Sequence, residues 1–239
     1  MIVNYNGLGW VVITQRAHGL LAGDICARWK LSDQPKKWVE TLIATTEHDD
    51  VYNEFDRDPL IDLNGAPINF KLTDFDLSAA EKQIDMALTK SRFITLLISR
   101  HIAFTHGEDP LAKNFIDLLK SKEKIWIKES GVDKKEVDSA YALLEFCDAF
   151  SLLICQNLVP PENRLLEISR GPDGTAYHLH GEAGMIFVEP WPFIVEEFTI
   201  TYESRTVAEL KFDSSDMFRQ ALRTAPIITN QITISNRKK

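Results

Sequence analysis

The feature that most constrains the fold is a change of period at Pro160-Pro161. Ahead of it, apolar residues recur at three- and four-residue intervals, the stripe of amphipathic helices. After it they come in short runs, "RLLEIS", "TAYHLHG", "GMIFVEP", "FIVEEFTITYES" and "TVAELKF", that read as strands. Paired prolines cannot continue a helix, so the helical body is expected over 14–160 and a β-rich lobe over 161–239. Ile2-Val3 and Trp10–Ile13 flank "NYNGLG" and read as a hairpin over 1–13. An isolated two-stranded ribbon is marginal, so this hairpin is expected to join the C-terminal strands. The 239 residues are therefore expected to form a single integrated α+β unit: a mainly α-helical bundle with a smaller antiparallel β-sheet.

Within the body, Thr14 can cap a helix from about Gln15 to Lys30, and Pro35 suits the start of one reaching His48-Asp49. "FDRDPLIDLNGAPINF" breaks the pattern with two prolines and an Asn-Gly turn, and loops of this length often form lids or entrances. Ser78, with Glu81 three residues on, predicts a capping box and a helix to about His106. Further helices are expected over 110–130 and 133–158, with a short one near Ser214 to Arg223 before "IITNQITIS".

No apolar run approaches the roughly 18 residues that span a bilayer, and the N-terminus lacks the pattern of a signal peptide. Cys26, Cys147 and Cys155 are an odd number and read as free thiols of a reducing cytoplasm. A net charge of −8 argues against a nucleic-acid partner, which needs a basic face, and favours a small-molecule substrate. A homodimer is left open.

Chemistry concentrates in the helical body. His18 shares the inward stripe of its helix with Leu21, Ala22 and Ile25, and His101 aligns with Ile94, Leu97 and Ile98. Asp148 lies inside "YALLEFCDAFSLLIC", a helix apolar nearly all round, where a carboxylate is costly unless paired or bound to a metal. His48 and Asp49 diverge by about 100° on a helix, yet can converge on an ion beside its frayed end. His18, His48, Asp49 and Asp148 would form a mixed N/O donor set suited to a divalent transition metal, Mn, Fe, Zn or Ni.

The order His, His-Asp, then Asp in "CDAFS" resembles the HD-domain superfamily of metal-dependent phosphohydrolases. The phrases "ITQRAHGLLAG", "EHDD", "SRH" and "PWPF" are similar to an uncharacterised bacterial family with an HD-domain-like helical body and a β-rich C-terminal part. The resemblance covers most of the chain. It implies that His18, His48, Asp49 and Asp148 are metal ligands and that His101 is an active-site or second-metal residue. HD phosphohydrolases often carry glycine and lysine shortly after the aspartate, whereas this chain reads "HDDVYNEFD". The lysine that a phosphate contact would use in that family thus has no counterpart at this place in the sequence.

The expected function is a metal-dependent hydrolase of a small phosphate ester, with His101 and Asp49 as catalytic residues. The alternatives are an iron-dependent oxygenase, which would need six ligands and so His106 or another histidine, and a non-catalytic ligand-binding module. His101 and His106 share no face unless the helix ends between them. Arg16 and Arg100 flank two of the histidines and could hold an anion, but exposure is the favoured reading of Arg16. Asp50 and Glu54 read as surface carboxylates. His178, His180 and Glu182 alternate on one strand and read as a solvent face. "EPWPF" reads as a rigid aromatic corner packed on the body.

Overall fold

The computed structural model describes residues 1–236. Seven α-helices and seven strands are present among these residues: β1 (Ile2–Tyr5), β2 (Trp10–Ile13), α1 (Gln15–Ala27), α2 (Trp38–Glu47), α3 (Leu77–Leu88), α4 (Arg92–Thr105), α5 (Lys113–Ser130), α6 (Lys134–Cys155), β3 (Leu166–Arg170), β4 (Ala176–Glu182), β5 (Met185–Glu189), β6 (Glu197–Val207), α7 (Ser215–Thr224) and β7 (Ile227–Ser235).

The expectation of a mainly helical HD-domain-like bundle with a smaller antiparallel sheet is overturned. All seven strands join one sheet in the order β1-β2-β6-β7-β5-β4-β3. The sheet is mixed: β7 runs antiparallel to β6 but parallel to β5, with Ile186 opposite Ile234. The hairpin enters through β2, whose Trp10 pairs with Val207 of β6. Parallel neighbours need a crossover, and here the chain leaves β5, forms β6 and α7, and returns as β7 between them. Successive β-like runs suggest a meander, but strand order depends on which apolar faces meet in three dimensions.

One face of this sheet packs on α1 and α6. Ile13, Leu179, Val188, Ile200 and Ile234 from the strands meet Leu21, Ile25, Phe146 and Phe150 from the helices in a continuous core. A second core, with Leu97, Ile116, Trp126 and Leu144, lies among α2 to α6. Helix α6 serves both cores, which is why its sequence is apolar nearly all round.

Local signals place the elements. Thr14 caps α1 by accepting from the Ala17 N–H, and Ser91 caps α4 in the same way from Ile94. The expected long helix to His106 is thus two, because Ser91 starts a new one. Asp76, not Ser78, caps α3. "EPWPF" packs on the end of α1: Phe193 stands 6.1 Å from Trp29 and Lys30 donates to the Pro192 carbonyl. No helix among the described residues is long and apolar enough to cross a membrane.

Candidate metal centre

Four helices bring the site together. His18 comes from the first turn of α1, His48 caps the C-terminus of α2 with Asp49 in the turn beyond, His101 lies on α4, and Asp148 on α6. The approach of α1 to α2 depends on glycine. A Cβ on Gly19 would lie 2.6 Å from the Thr46 carbonyl oxygen, and one on Gly23 would collide with the Thr46 side chain. This close contact sets the His18 and His48 rings 4.9 Å apart, edge to face, and His101 follows 4.8 Å beyond His48.

Hydrogen bonds select the nitrogen that each ring presents. Ser151 donates its hydroxyl to the Asp148 carbonyl at 2.9 Å, so its oxygen accepts from His18 Nδ1–H at 2.9 Å. His48 Nδ1–H donates to the Thr45 carbonyl at 2.8 Å. With Nδ1 of each ring engaged in this way, Nε2 is the nitrogen left to face the site. His18 Nε2 meets Asp49 Oδ2 at 3.1 Å, and His48 Nε2 meets Asp148 Oδ1 at 3.2 Å. The second pair is close but not aligned as a hydrogen bond, and both of its atoms are buried without a partner. Facing lone pairs repel unless a proton or a cation lies between them. Separations of 3.1 and 3.2 Å are those of adjacent donors around a six-coordinate ion with bonds of roughly 2.1–2.3 Å.

The electrostatics agree with that donor set. Burial works against ionisation of His48, but the carboxylates of Asp148 and Asp49 outweigh it and raise its pKa to about 9. Burial likewise opposes ionisation of Asp49 and Asp148, yet both are held below the usual carboxylate range, chiefly by His48. His101 is pushed down to about 4 by burial and by the charge on His48. Asp49 and Asp148 together carry two negative charges, which a divalent cation would balance on displacing the His48 proton. The donors fit a metal: His18, His48 and Asp49 form one compact group, and His48, His101 and Asp148 another.

A cleft of about 320 Å³ opens on this cluster, lined by Asp49, His101 and Asp148 together with Gln15, Tyr52 and Arg57 among others. Helix α4 ends at Thr105, between His101 and His106, so both histidines reach the cleft. His106 packs edge to face on Phe75 and belongs to neither donor group.

Several residues depart from their expected places. Glu54 is buried and accepts from the Gln15 N–H at 2.9 Å. His180 is buried too, stacked on Phe187, whereas His178 is half-buried and Glu182 exposed, so that strand face is solvated only in part. Arg16 donates to the Asp50 carbonyl at the surface, and Arg100 is held by Glu123 and Asp138 away from the cleft. Gln15, Ser151 and Arg57 were not among the expected site residues. Gln15 donates to Asp49 Oδ2 at 2.8 Å while its own Oε1 is buried without a partner. Spacing could have found two of them: Gln15 lies three residues before His18 and Ser151 three after Asp148, each on its partner's helix face.

Fold and cluster together define an α+β protein with a candidate metal centre. Residues 1–209, which include every residue of both donor groups, match the family described as "Protein of unknown function (DUF3891)". The chain belongs to that family. No curated protein and no solved structure matches it.

Proposed function

We propose that this protein is a metal-dependent hydrolase acting on a phosphate ester of a small molecule. The observation that carries the reading is the pair of buried, unpartnered atoms, His48 Nε2 and Asp148 Oδ1, facing each other beside an open cleft that Asp148 lines. His18 and His48 through Nε2, with Asp49 and Asp148, would hold a divalent Mn, Fe, Zn or Ni ion. Their order along the chain resembles that of the HD-domain superfamily. When bound, such an ion lowers the pKa of a water and polarises a phosphoryl oxygen.

The protein's own groups supply the rest. Gln15 fixes the Asp49 carboxylate, so that its remaining lone pairs can orient an attacking water. His101, kept neutral, lines the cleft with one N–H and one ring lone pair to offer, and its buried Nδ1 has no partner. Hydrolysis joins the water oxygen to phosphorus, breaks the ester P–O bond and returns a proton to the departing oxygen. Tyr52 stays a protonated phenol because burial and the nearby Asp49 charge push its pKa up to about 12.

The oxygenase alternative would need a sixth ligand. The two donor groups share His48 and supply five residues, with His106 outside both, which favours the hydrolytic reading. Elemental analysis of freshly purified protein tests it, with a panel of phosphate monoesters assayed under added Mn or Fe. Stoichiometric transition metal is expected, lost in His48→Ala and Asp49→Ala. Metal-free wild-type protein, or unchanged metal content in both variants, would sink the proposal.

A further inference from the structure

The cleft presents two aspartates, and in the metal-free state their charge repels any anion. Its wall includes two basic side chains, Arg57 and Lys71, both from the loop segment between α2 and α3. Lys71 is exposed. Arg57 is held: its guanidinium lies 4.5 Å from the Tyr52 ring centroid, a cation–π contact that orients it. Its one ionic neighbour among the described residues, Asp76, is 3.9 Å away and substantially exposed. A pair of that kind is worth little, so the donor fork remains available to a ligand.

The backbone carrying Arg57 is pinned from outside the cleft. Arg219 of α7 donates to the Arg57 carbonyl at 3.0 Å and to the Asp58 carboxylate at 2.7 Å. Arg223 donates to the Phe55 carbonyl at 3.0 Å and stacks on the Phe55 ring. An exposed loop is thereby fixed at consecutive turns by a helix from the other end of the chain. Fixed placement matters for recognition, because a donor that is already ordered loses less entropy when it engages a ligand.

We propose that Arg57 is the anion-binding residue of this cleft, gripping the phosphoryl group of a small organic phosphate, with Arg219 as its positioning residue. The inference rests on the hydrolase reading for its substrate class, but Arg57 and its anchoring are independent of any metal. A guanidinium offers paired N–H donors that match two phosphoryl oxygens, where a lysine offers only a point charge. The size of the cleft suits a compact monoester rather than a polymer.

The test is calorimetric titration of the full chain, with and without added Mn, using inorganic phosphate, phenyl phosphate and acetate. Wild-type protein is expected to bind both phosphate probes more tightly than acetate. Arg57→Gln should weaken phosphate about ten- to hundredfold, as loss of a charged hydrogen-bonding partner does, with Mn stoichiometry and the unfolding midpoint unchanged. Arg57→Lys should restore only part of the affinity, and Arg219→Ala, which changes no cleft-lining residue, should weaken phosphate by releasing the Arg57 backbone. Phosphate affinity equal to wild type in Arg57→Gln overturns the proposal, as does acetate binding as tightly as phosphate. If Arg57→Gln fails to fold, unchanged phosphate affinity in Arg219→Ala overturns it instead. Failure to take up Mn sinks the hydrolase reading alone, since the Arg57 effect is then read on metal-free protein.

Discussion

Ser151→Ala separates a metal-positioning role from a structural one. The hydroxyl is fully buried, accepts from His18 Nδ1–H at 2.9 Å and donates to the Asp148 carbonyl at 2.9 Å. Its removal first leaves a buried N–H without a partner, at a cost of about 1–3 kcal/mol. The ring has a way out. Its proton can move to Nε2, where Asp49 Oδ2 waits 3.1 Å away. That tautomer suits the metal-free protein and spoils the metal site, because the ligating lone pair is now occupied. Alanine also gains up to about 0.5 kcal/mol in helix propensity. The metal-free variant should therefore lose only about 1 kcal/mol, a drop of about 2–4 °C in unfolding midpoint for a chain of this size. Metal affinity should fall about ten- to hundredfold, as when other partners of ligating histidines are removed. Chelator-competition titration with Mn or Zn reads the second quantity and thermal unfolding in EDTA the first. Wild-type metal affinity in a variant that has lost stability would refute the reasoning, since Ser151 would then be only a packing element.

Three further outcomes follow from the geometry. Gly19→Ala should loosen the α1–α2 contact, because its Cβ would lie 2.6 Å from a backbone oxygen that cannot rotate away. The expected net loss is about 0–2 kcal/mol after the helix-propensity gain, with a clear fall in metal affinity, measured by denaturant unfolding and metal titration. In metal-free protein His48 has its pKa raised above the unfolded value, to about 9. Its contribution is fully present below the unfolded pKa of about 6.5 and is lost as pH rises through about 9. Chemical unfolding in EDTA should therefore show stability declining across that window, on the order of 3 kcal/mol. A flat profile would contradict the charged assignment. Burial pushes Cys155 up to about 12 and Cys147 well above its usual value. Native protein should consequently react with an aromatic disulfide reagent at pH 8 only as fast as it unfolds, and prompt labelling would show the thiols to be accessible.

What the sequence made legible was local. The Thr14 cap, the inward stripe of His18 and the isolated carboxylate of Asp148 all depend on neighbours within one or two turns. Sheet order depends on contacts far apart in the chain, and a period-2 run such as "QITIS" has no local signal for a parallel neighbour on one side and an antiparallel one on the other. His180 shows the same limit within a strand. Alternation correctly placed it on a face with His178, but only the packing of Phe187 beside it buries that position.

The candidate site divides along the same line. Its donors were found because each breaks a local rule: a histidine on an apolar stripe, or an aspartate in an apolar helix. Arg57 breaks none, since an arginine in a polar loop is what any surface loop contains. Its significance comes from Tyr52 beneath it and from Arg219, 162 positions away, holding its carbonyl. Residues that a site makes costly to bury announce themselves in sequence, whereas residues that merely face the ligand become visible only once the chain has folded around them. The buried donors and the anion grip thus stand on different kinds of evidence, and they are separable by experiment: phosphate affinity can be lost at Arg57 with the metal retained, and metal affinity lost at Ser151 with the loop intact.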